Sequence, residues 1–370
     1  MSLPEINLSS ELLTRHNKKN RKKPKLIWKL LGYAFLTAVL LAIIFLIWFF
    51  FTPSGTQKRD VIADTIISTQ HRAWAKYLIG SGELQERVDA YSQRFDEYAE
   101  KPITEKAIIP EIIPIQKDLV EIEPISGTGF KGYLLTISDP KKVRLAVTES
   151  TKKGEKVSTM VQRTGAIAGV NGGGFIDPNW EGNGFQPEGI VISGGKILYK
   201  DVGMNTSLHV MGIDQSGQMI AGKYSPTELL NMHVMEAASF APRFIVNGVG
   251  QIKGQSDGWG IAPRTCMAQK RDGSIMFIVI DGRQPGYSIG ASLYDVQQVL
   301  LEHDAVIAAN LDGGASSVLV KDNEIINRPS SKWGERFLPT AWLVFDNPDS
   351  VYIRNPWEGL DPNKIDASTW

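Results

Sequence analysis

Three short apolar runs in this chain each end in a polar residue followed by glycine. Ala166-Ile167-Ala168-Gly169-Val170 leads into Asn171 and then Gly172, Gly173 and Gly174. Ile275 to Ile280 leads into Asp281-Gly282-Arg283, and Ala305 to Ala309 into Asn310-Leu311-Asp312-Gly313-Gly314. Glycine at such positions permits positive φ and lets a ligand approach the backbone closely. Polar side chains at the C-terminal ends of buried strands commonly line the site in α/β folds. Three turns of this kind, each carrying Asn or Asp, point to one shared polar pocket. Within it, Asp281 and Asp312 together with carbonyl oxygens could hold Ca2+ or Mg2+.

Other chemistries fit the residues less well. Gly254 to Gly258 around Ser256 and Gly286 to Gly290 around Ser288 both match the Gly-x-Ser-x-Gly spacing. A nucleophile elbow needs a strand directly before the turn and a helix directly after it. Trp259-Gly260-Ile261-Ala262-Pro263 follows the first, and Asp281 to Pro285 separates the second from its strand. The histidines at 16, 71, 209, 233 and 303 form no His-x-x-x-His pair, which argues against zinc. Gly217 to Lys223 has the spacing of a phosphate loop, but Tyr224 stands where a magnesium-binding Ser or Thr is required. Cys266, the only cysteine, lies in a strand-like stretch and reads as a small buried thiol; no intrachain disulfide is possible.

The elements that must position the turns are short and β-rich from about Leu119 onward, Gly132 to Ile137 and Val143 to Val147 among them. Before Asp312, Ser292 with Asp295 predicts a capped helix whose apolar face is Leu293, Val296, Val299 and Leu300. A helix feeding a strand favours a mixed, α+β domain with a β-rich core over a pure sandwich. Residues 60–100 read as amphipathic helix, broken at Gly80-Ser81-Gly82, forming a stalk or a lid packed on the main domain. Pro102, Pro110 and Pro114 mark the boundary.

At these turns the sequence resembles the phosphodiester glycosidase family. The resemblance rests on Gly169 to Phe175, Gln186-Pro187-Glu188-Gly189, Ala262-Pro263-Arg264-Thr265, and Asp281-Gly282-Arg283 with Tyr287-Ser288 and Gly290. It continues through Asn310 to Ser317 and from Asn327-Arg328-Pro329 through Glu335-Arg336 to Pro339-Thr340-Ala341. Ala315 departs from the third glycine that many members carry, which matters only if φ there is positive.

The resemblance implies hydrolysis between a sugar's anomeric carbon and a phosphodiester oxygen, through a transition state with positive charge on the ring. The phosphate leaves without a strong acid, while carboxylates stabilise the ring or activate water. Asp312, Asp281 and Glu188 are the expected catalytic groups. Arg264 and Arg283 would fork onto phosphate, and Ser288 belongs to the same expected substrate set. Backbone amides of the Gly173-Gly174 and Gly313-Gly314 turns would add an anion nest. Asn171 and Asn310 would orient sugar hydroxyls or water. Arg336 reads as a structural ion pair.

The chain balances 40 basic against 40 acidic residues, so there is no general nucleic-acid signal. Eight Lys or Arg nonetheless fall between Arg15 and Lys29, ahead of an uncharged run from Leu30 to Phe51. Those 22 residues would span about 33 Å as a helix, enough for a bilayer core. The charge asymmetry predicts a single-pass anchor with its N-terminus in the cytoplasm and the bulk outside. The resulting division is a cytoplasmic tail (1–29), an anchor (30–51), a helical stalk or linker (52–118), the glycosidase-like domain (119–347) and a C-terminal tail (348–370). The expected partners are a phosphate-containing glycan or sugar phosphodiester and membrane lipid. The expected activity is trimming of envelope or exopolysaccharide glycans. A non-catalytic glycan-binding scaffold is the alternative, for which Trp180, Trp259 and Trp333 could supply stacking platforms.

Overall fold

The computed structural model describes residues 24–69, 71–100 and 118–370. Pro102, Pro110 and Pro114, and the part of the basic cluster before residue 24, lie outside the described residues. Two compact units divide at Arg59 and Asp60. The first holds the helix Pro24–Phe51, within which Leu26–Phe51 is long and apolar enough to cross a membrane. At about 1.5 Å per residue, its 26 residues rise about 39 Å. This is compatible with a single-pass anchor or a signal sequence.

In the second unit three antiparallel sheets carry the core, so the mixed, β-rich class holds. Ile275–Ile280, Arg264–Lys270 and Ala305–Asn310 lie side by side in a seven-stranded sheet. Every residue of Ile275–Ile280 is buried, which explains why its sequence is apolar without alternation. Each such side chain contributes about 1.5–3 kcal/mol when fully buried. The pairing register then decides where the turns go. Arg264 faces Ile280, and Cys266 faces Asn310. The start of one strand therefore lies beside the ends of its two antiparallel neighbours. Asp281, Asn310 and Arg264 share one edge for that reason.

A five-stranded sheet brings Ala168–Asn171, Leu319–Lys321 and Thr340–Val344 together, with Asn171 opposite Ala341. The loop Leu311 to Val318 crosses from the first sheet to this one. A third sheet contributes Ile190–Ser193 and Val234–Ser239, paired at Val191 and Ala238. Glu188 just before one strand and Phe240 just after the other thus end up as neighbours. The buried carboxylate of Glu236 joins the last two sheets, accepting from Arg144 Nε at 2.5 Å and from the amides of Leu145 and Gly194.

The helix Leu293–Glu302 carries the expected cap: Ser292 Oγ accepts from the Asp295 amide, and the Asp295 carboxylate accepts from the Ser292 amide. Met219–Tyr224 is a regular strand, so no phosphate loop exists there.

From Asp60 on, the helical segment packs on the sheets, the second of the two arrangements expected for residues 60–100. Trp259 stacks on Phe95 at 4.4 Å and on Tyr91 at 5.6 Å. Arg94 pairs with Asp257, and Arg243 donates to the carbonyls of Tyr98 and Ala99. Residues 348–370 are likewise part of the fold. Trp357 is buried and donates to the Phe185 carbonyl, while Asn183 donates to the carbonyls of Asp366 and Thr369.

Candidate functional site

Where the strand ends of the three sheets meet lies a cavity of about 1370 Å³. Asp312, Glu188, Arg264, Arg283, Asn310, Gly313 and Gly314 line it, together with Phe175, Phe240 and Trp259. Asp177, Trp180, Trp333, Arg336 and Trp370 extend the wall, and Ser68, Thr69, His71 and Arg72 of the helical segment close another side.

Asp312 is its most unusual group. Its Oδ2 is shut off from solvent and accepts no hydrogen bond among the described residues. Burial pushes its pKa up to about 7; the Ser316 hydroxyl and Arg336 pull down, while Asp177 and Glu188 push further up. A buried carboxylate oxygen left without a donor costs stability. Such groups concentrate where a ligand or a reaction uses them.

Glu188 stands beside it without a hydrogen bond or ion pair on its carboxylate among the described residues. Its pKa is raised by burial first and by Asp201 second. A Cβ on Gly174 would come within 3.1 Å of Glu188 Oε2, so glycine there makes room for the carboxylate.

Arg283 is the matching cation. It opens into the cavity and has no hydrogen bond or ion pair from its guanidinium among the described residues. Burial lowers its pKa, and Asp312 raises it. Gly314, at φ +62, passes beneath it, and a Cβ there would sit 3.3 Å from Arg283 Nη2. Ala315 is not among the residues with positive φ, so its departure from the family pattern strains nothing.

Several expected site residues are held elsewhere. Asp281 does not line the cavity: its Oδ1 accepts from Asn327 Nδ2 and the Arg328 amide, and its Oδ2 from Tyr287, each at 2.9 Å. Burial raises its pKa against these bonds. Ser288 is buried too, donating to the Asp281 carbonyl at 2.6 Å and accepting from the Lys131 amide at 3.0 Å. The metal pair Asp281 and Asp312 is thus not brought together. No cluster of three or more His, Cys, Asp or Glu that could hold a metal ion occurs among the described residues.

Asn171 is fully buried as a cross-link: it donates to the Asp312 carbonyl and accepts from Thr265 Oγ1 at 2.8 Å and the Val318 amide. The amides of Gly172, Gly173 and Gly174 bind Thr340 and Ser239, so that turn offers no anion nest. Asn310 reaches the cavity wall but donates to the Ala241 carbonyl at 3.0 Å. Arg264 also reaches it, yet Nε and Nη2 hold the carbonyls of Ala291, Trp259 and Gly260. Burial drives its pKa down to about 10. The free fork is therefore that of Arg283. Cys266 is buried with its pKa pushed up to about 12, an inert thiol.

Asp177, Phe240 and Trp370 were not legible as site residues. Asp177 was the most accessible of them, since Phe175-Ile176-Asp177-Pro178 directly follows the first glycine turn. It pairs with Arg336 at 2.8 Å, confirming that arginine's structural ion pair, and Arg336 also lies over the Phe175 ring.

Residues 164–345 match the phosphodiester glycosidase family. N-acetylglucosamine-1-phosphodiester alpha-N-acetylglucosaminidase of Bos taurus is 26% identical over 200 residues, covering 49% of this chain and 36% of the bovine protein. An uncharacterized SPbeta prophage-derived protein of Bacillus subtilis is 25% identical over 208 residues, covering 54% of this chain and 31% of that one. The chain thus spans about a third of the length of these relatives. The pro-peptide-inhibited catalytic domain of the zebrafish N-acetylglucosamine-1-phosphodiester alpha-N-acetylglucosaminidase superposes with a TM-score of 0.53 at 21% identity, over 62% of this chain and 85% of that domain. At that identity the likeness is one of fold.

Proposed function

Since the chain carries a domain of the phosphodiester glycosidase family, we propose that it hydrolyses glycosyl 1-phosphodiesters in the Asp312 cavity. One observation carries this reading. A guanidinium and two carboxylates line one cavity, none of them forms an ion pair among the described residues, and one Asp312 oxygen accepts no hydrogen bond there. Opposite charges in a merely structural cluster neutralise each other. Here they line a cavity that suits a ligand with both an anionic and an electron-poor part.

Arg283 takes the phosphate oxygens with its planar fork. Glu188 supplies negative charge toward the ring as the bond to the anomeric carbon breaks. Asp312, ionised, accepts a proton from the water that attacks that carbon. The electron pair of the broken C–O bond leaves with the phosphate, which departs as a monoester. A carboxyl whose pKa lies near 7 exchanges protons efficiently at neutral pH.

The test is hydrolysis of N-acetylglucosamine 1-(methyl phosphate) by the full-length protein in water enriched in oxygen-18. Free sugar carrying the label supports cleavage at the anomeric carbon. Label in the phosphate means attack at phosphorus, and no hydrolysis of any glycosyl phosphodiester leaves the glycan-binding scaffold as the better reading. We place this domain outside the cytoplasm, on envelope or exopolysaccharide glycans, from the basic residues ahead of the apolar run. Protease added to intact protoplasts should then degrade it; protection until lysis reverses the orientation.

A further inference from the structure

We propose that the cavity continues from Asp312 into a glycan-binding subsite built by Trp180 and Trp333, so that the substrate is a multi-residue glycan and not a lone sugar phosphodiester. This rests on the hydrolytic reading for the scissile bond and adds what is held beyond it. About 1370 Å³ exceeds the roughly 300–1,000 Å³ of ordinary small-ligand sites. One sugar and one phosphate leave most of it unfilled.

The wall beyond Asp312 is aromatic. Trp180 is 51% exposed and Trp333 76% exposed, and both line the cavity. Large aromatic faces left open to water in a concave site suit a ligand that presents an apolar face and a polar edge, as sugar rings do. Lys332 covers one side of the Trp333 ring, its Nζ 4.7 Å from the centroid.

The chain also holds Trp180 there against its own preference. Asn179 at φ +53 and Trp180 at φ +63 are consecutive left-handed residues without a glycine. Bulky residues rarely adopt that conformation, and it persists where the surroundings enforce it. The surroundings here do so from both sides. Trp370 Nε1 donates to the Glu181 carbonyl at 3.0 Å. Asp177, three positions before Trp180, pairs with Arg336, three positions after Trp333. That single ion pair ties the two tryptophan loops together, and Arg336 acts on the Asp312 carboxyl, placing the subsite next to the reacting groups.

Calorimetry on full-length protein with Asp312→Asn, which slows turnover, tests this with three probes. They are N-acetylglucosamine 1-(methyl phosphate), the same group on the reducing end of chitotetraose, and a set of neutral tetraoses of glucose, galactose, mannose and N-acetylglucosamine. The long phosphodiester should bind about tenfold tighter than the short one. Trp180→Ala and Trp333→Ala should each remove most of that gain and leave the short probe unchanged. Equal affinity for long and short probes, or a gain that survives both substitutions, overturns the subsite. If no phosphodiester binds but a neutral tetraose does, and its binding needs the two tryptophans, the subsite stands and the hydrolytic reading fails. Absence of binding by every tetraose and by the long phosphodiester overturns the proposal.

Discussion

The turns at Asp281 and Asp312 are built alike. Each follows a fully buried strand of the same sheet, and each carries Asp followed by glycine. Their carboxylates meet opposite fates. Asp281 is enclosed by donors from Asn327, Arg328 and Tyr287. Asp312 keeps an oxygen that is buried and unbonded. What separates them is which segments reach each one. Tyr287, folding back after Asp281, and Asn327 with Arg328 from a distant loop cover the Asp281 carboxylate; after Asp312 the chain crosses to another sheet and leaves the carboxyl at the junction. An Asp-Gly turn thus carries a fully bonded staple or an unsatisfied carboxyl according to the donors that reach it. The two also cooperate: the staple fixes the turn from which Arg283, at φ +59, reaches the cavity.

Beyond Asp312 itself, the largest effect should come from removing the cation that the Asp281 turn presents. Arg283→Met should lower kcat/KM for a glycosyl phosphodiester by about 10²–10³, as loss of one aligned charged donor typically does. Arg283→Lys should recover only part of it, because a point charge cannot form the fork. Wild-type activity in both would assign phosphate binding elsewhere.

A second prediction concerns stability against pH. Asp312 has a folded pKa of about 7 against an ordinary value of 3.8. Below about pH 4 both folded and unfolded chains hold the proton. Between there and about pH 7 the folded chain binds more protons, so stability falls as pH rises through this window. Asp312→Asn removes the slope and should leave the protein more stable than wild type at pH 8, by up to about 4 kcal/mol. Denaturant titrations at pH 4.5 and pH 8 measure this. Parallel behaviour of wild type and variant would mean that Asp312 is not held in the environment described.

Asp281→Asn should act in the opposite sense. It sets an amide against donors that need an acceptor, costing about 1–3 kcal/mol. At roughly 2–4 °C per kcal/mol for a domain of this size, the melting temperature should drop by several degrees. The smallest effect sharpens the framework behind both turns. Ser292→Ala deletes a helix cap and should cost about 1 kcal/mol without changing activity per folded molecule.

Much of the architecture could be read from the residues. The runs Val143–Val147 and Ile275–Ile280 stand as strands at their expected bounds, because short segments rich in Val and Ile suit a buried strand. The cap at Ser292 and the apolar face of Leu293, Val296 and Leu300 were likewise local signals. What escaped was non-local. Nothing near Asp281 in the sequence announces that Asn327 and Arg328 will close over it. Nor does the texture of Trp357 or Trp370 reveal that the C-terminal stretch docks on Phe185 and Glu181. Asn171 carries the chemistry of a ligand-binding amide, and only the register with Ala341 shows that it faces inward to Thr265.

In the proposed reaction Asp312, and not its look-alike, exchanges the proton. The direct measurement is release of N-acetylglucosamine from its 1-(methyl phosphate) by wild type, Asp312→Asn and Asp281→Asn, each normalised to the folded fraction from circular dichroism. Asp312→Asn should lower the rate by about 10²–10⁴, and Asp281→Asn should stay within several-fold of wild type. Full activity in Asp312→Asn, or an equally deep loss in a well-folded Asp281→Asn, would contradict this assignment.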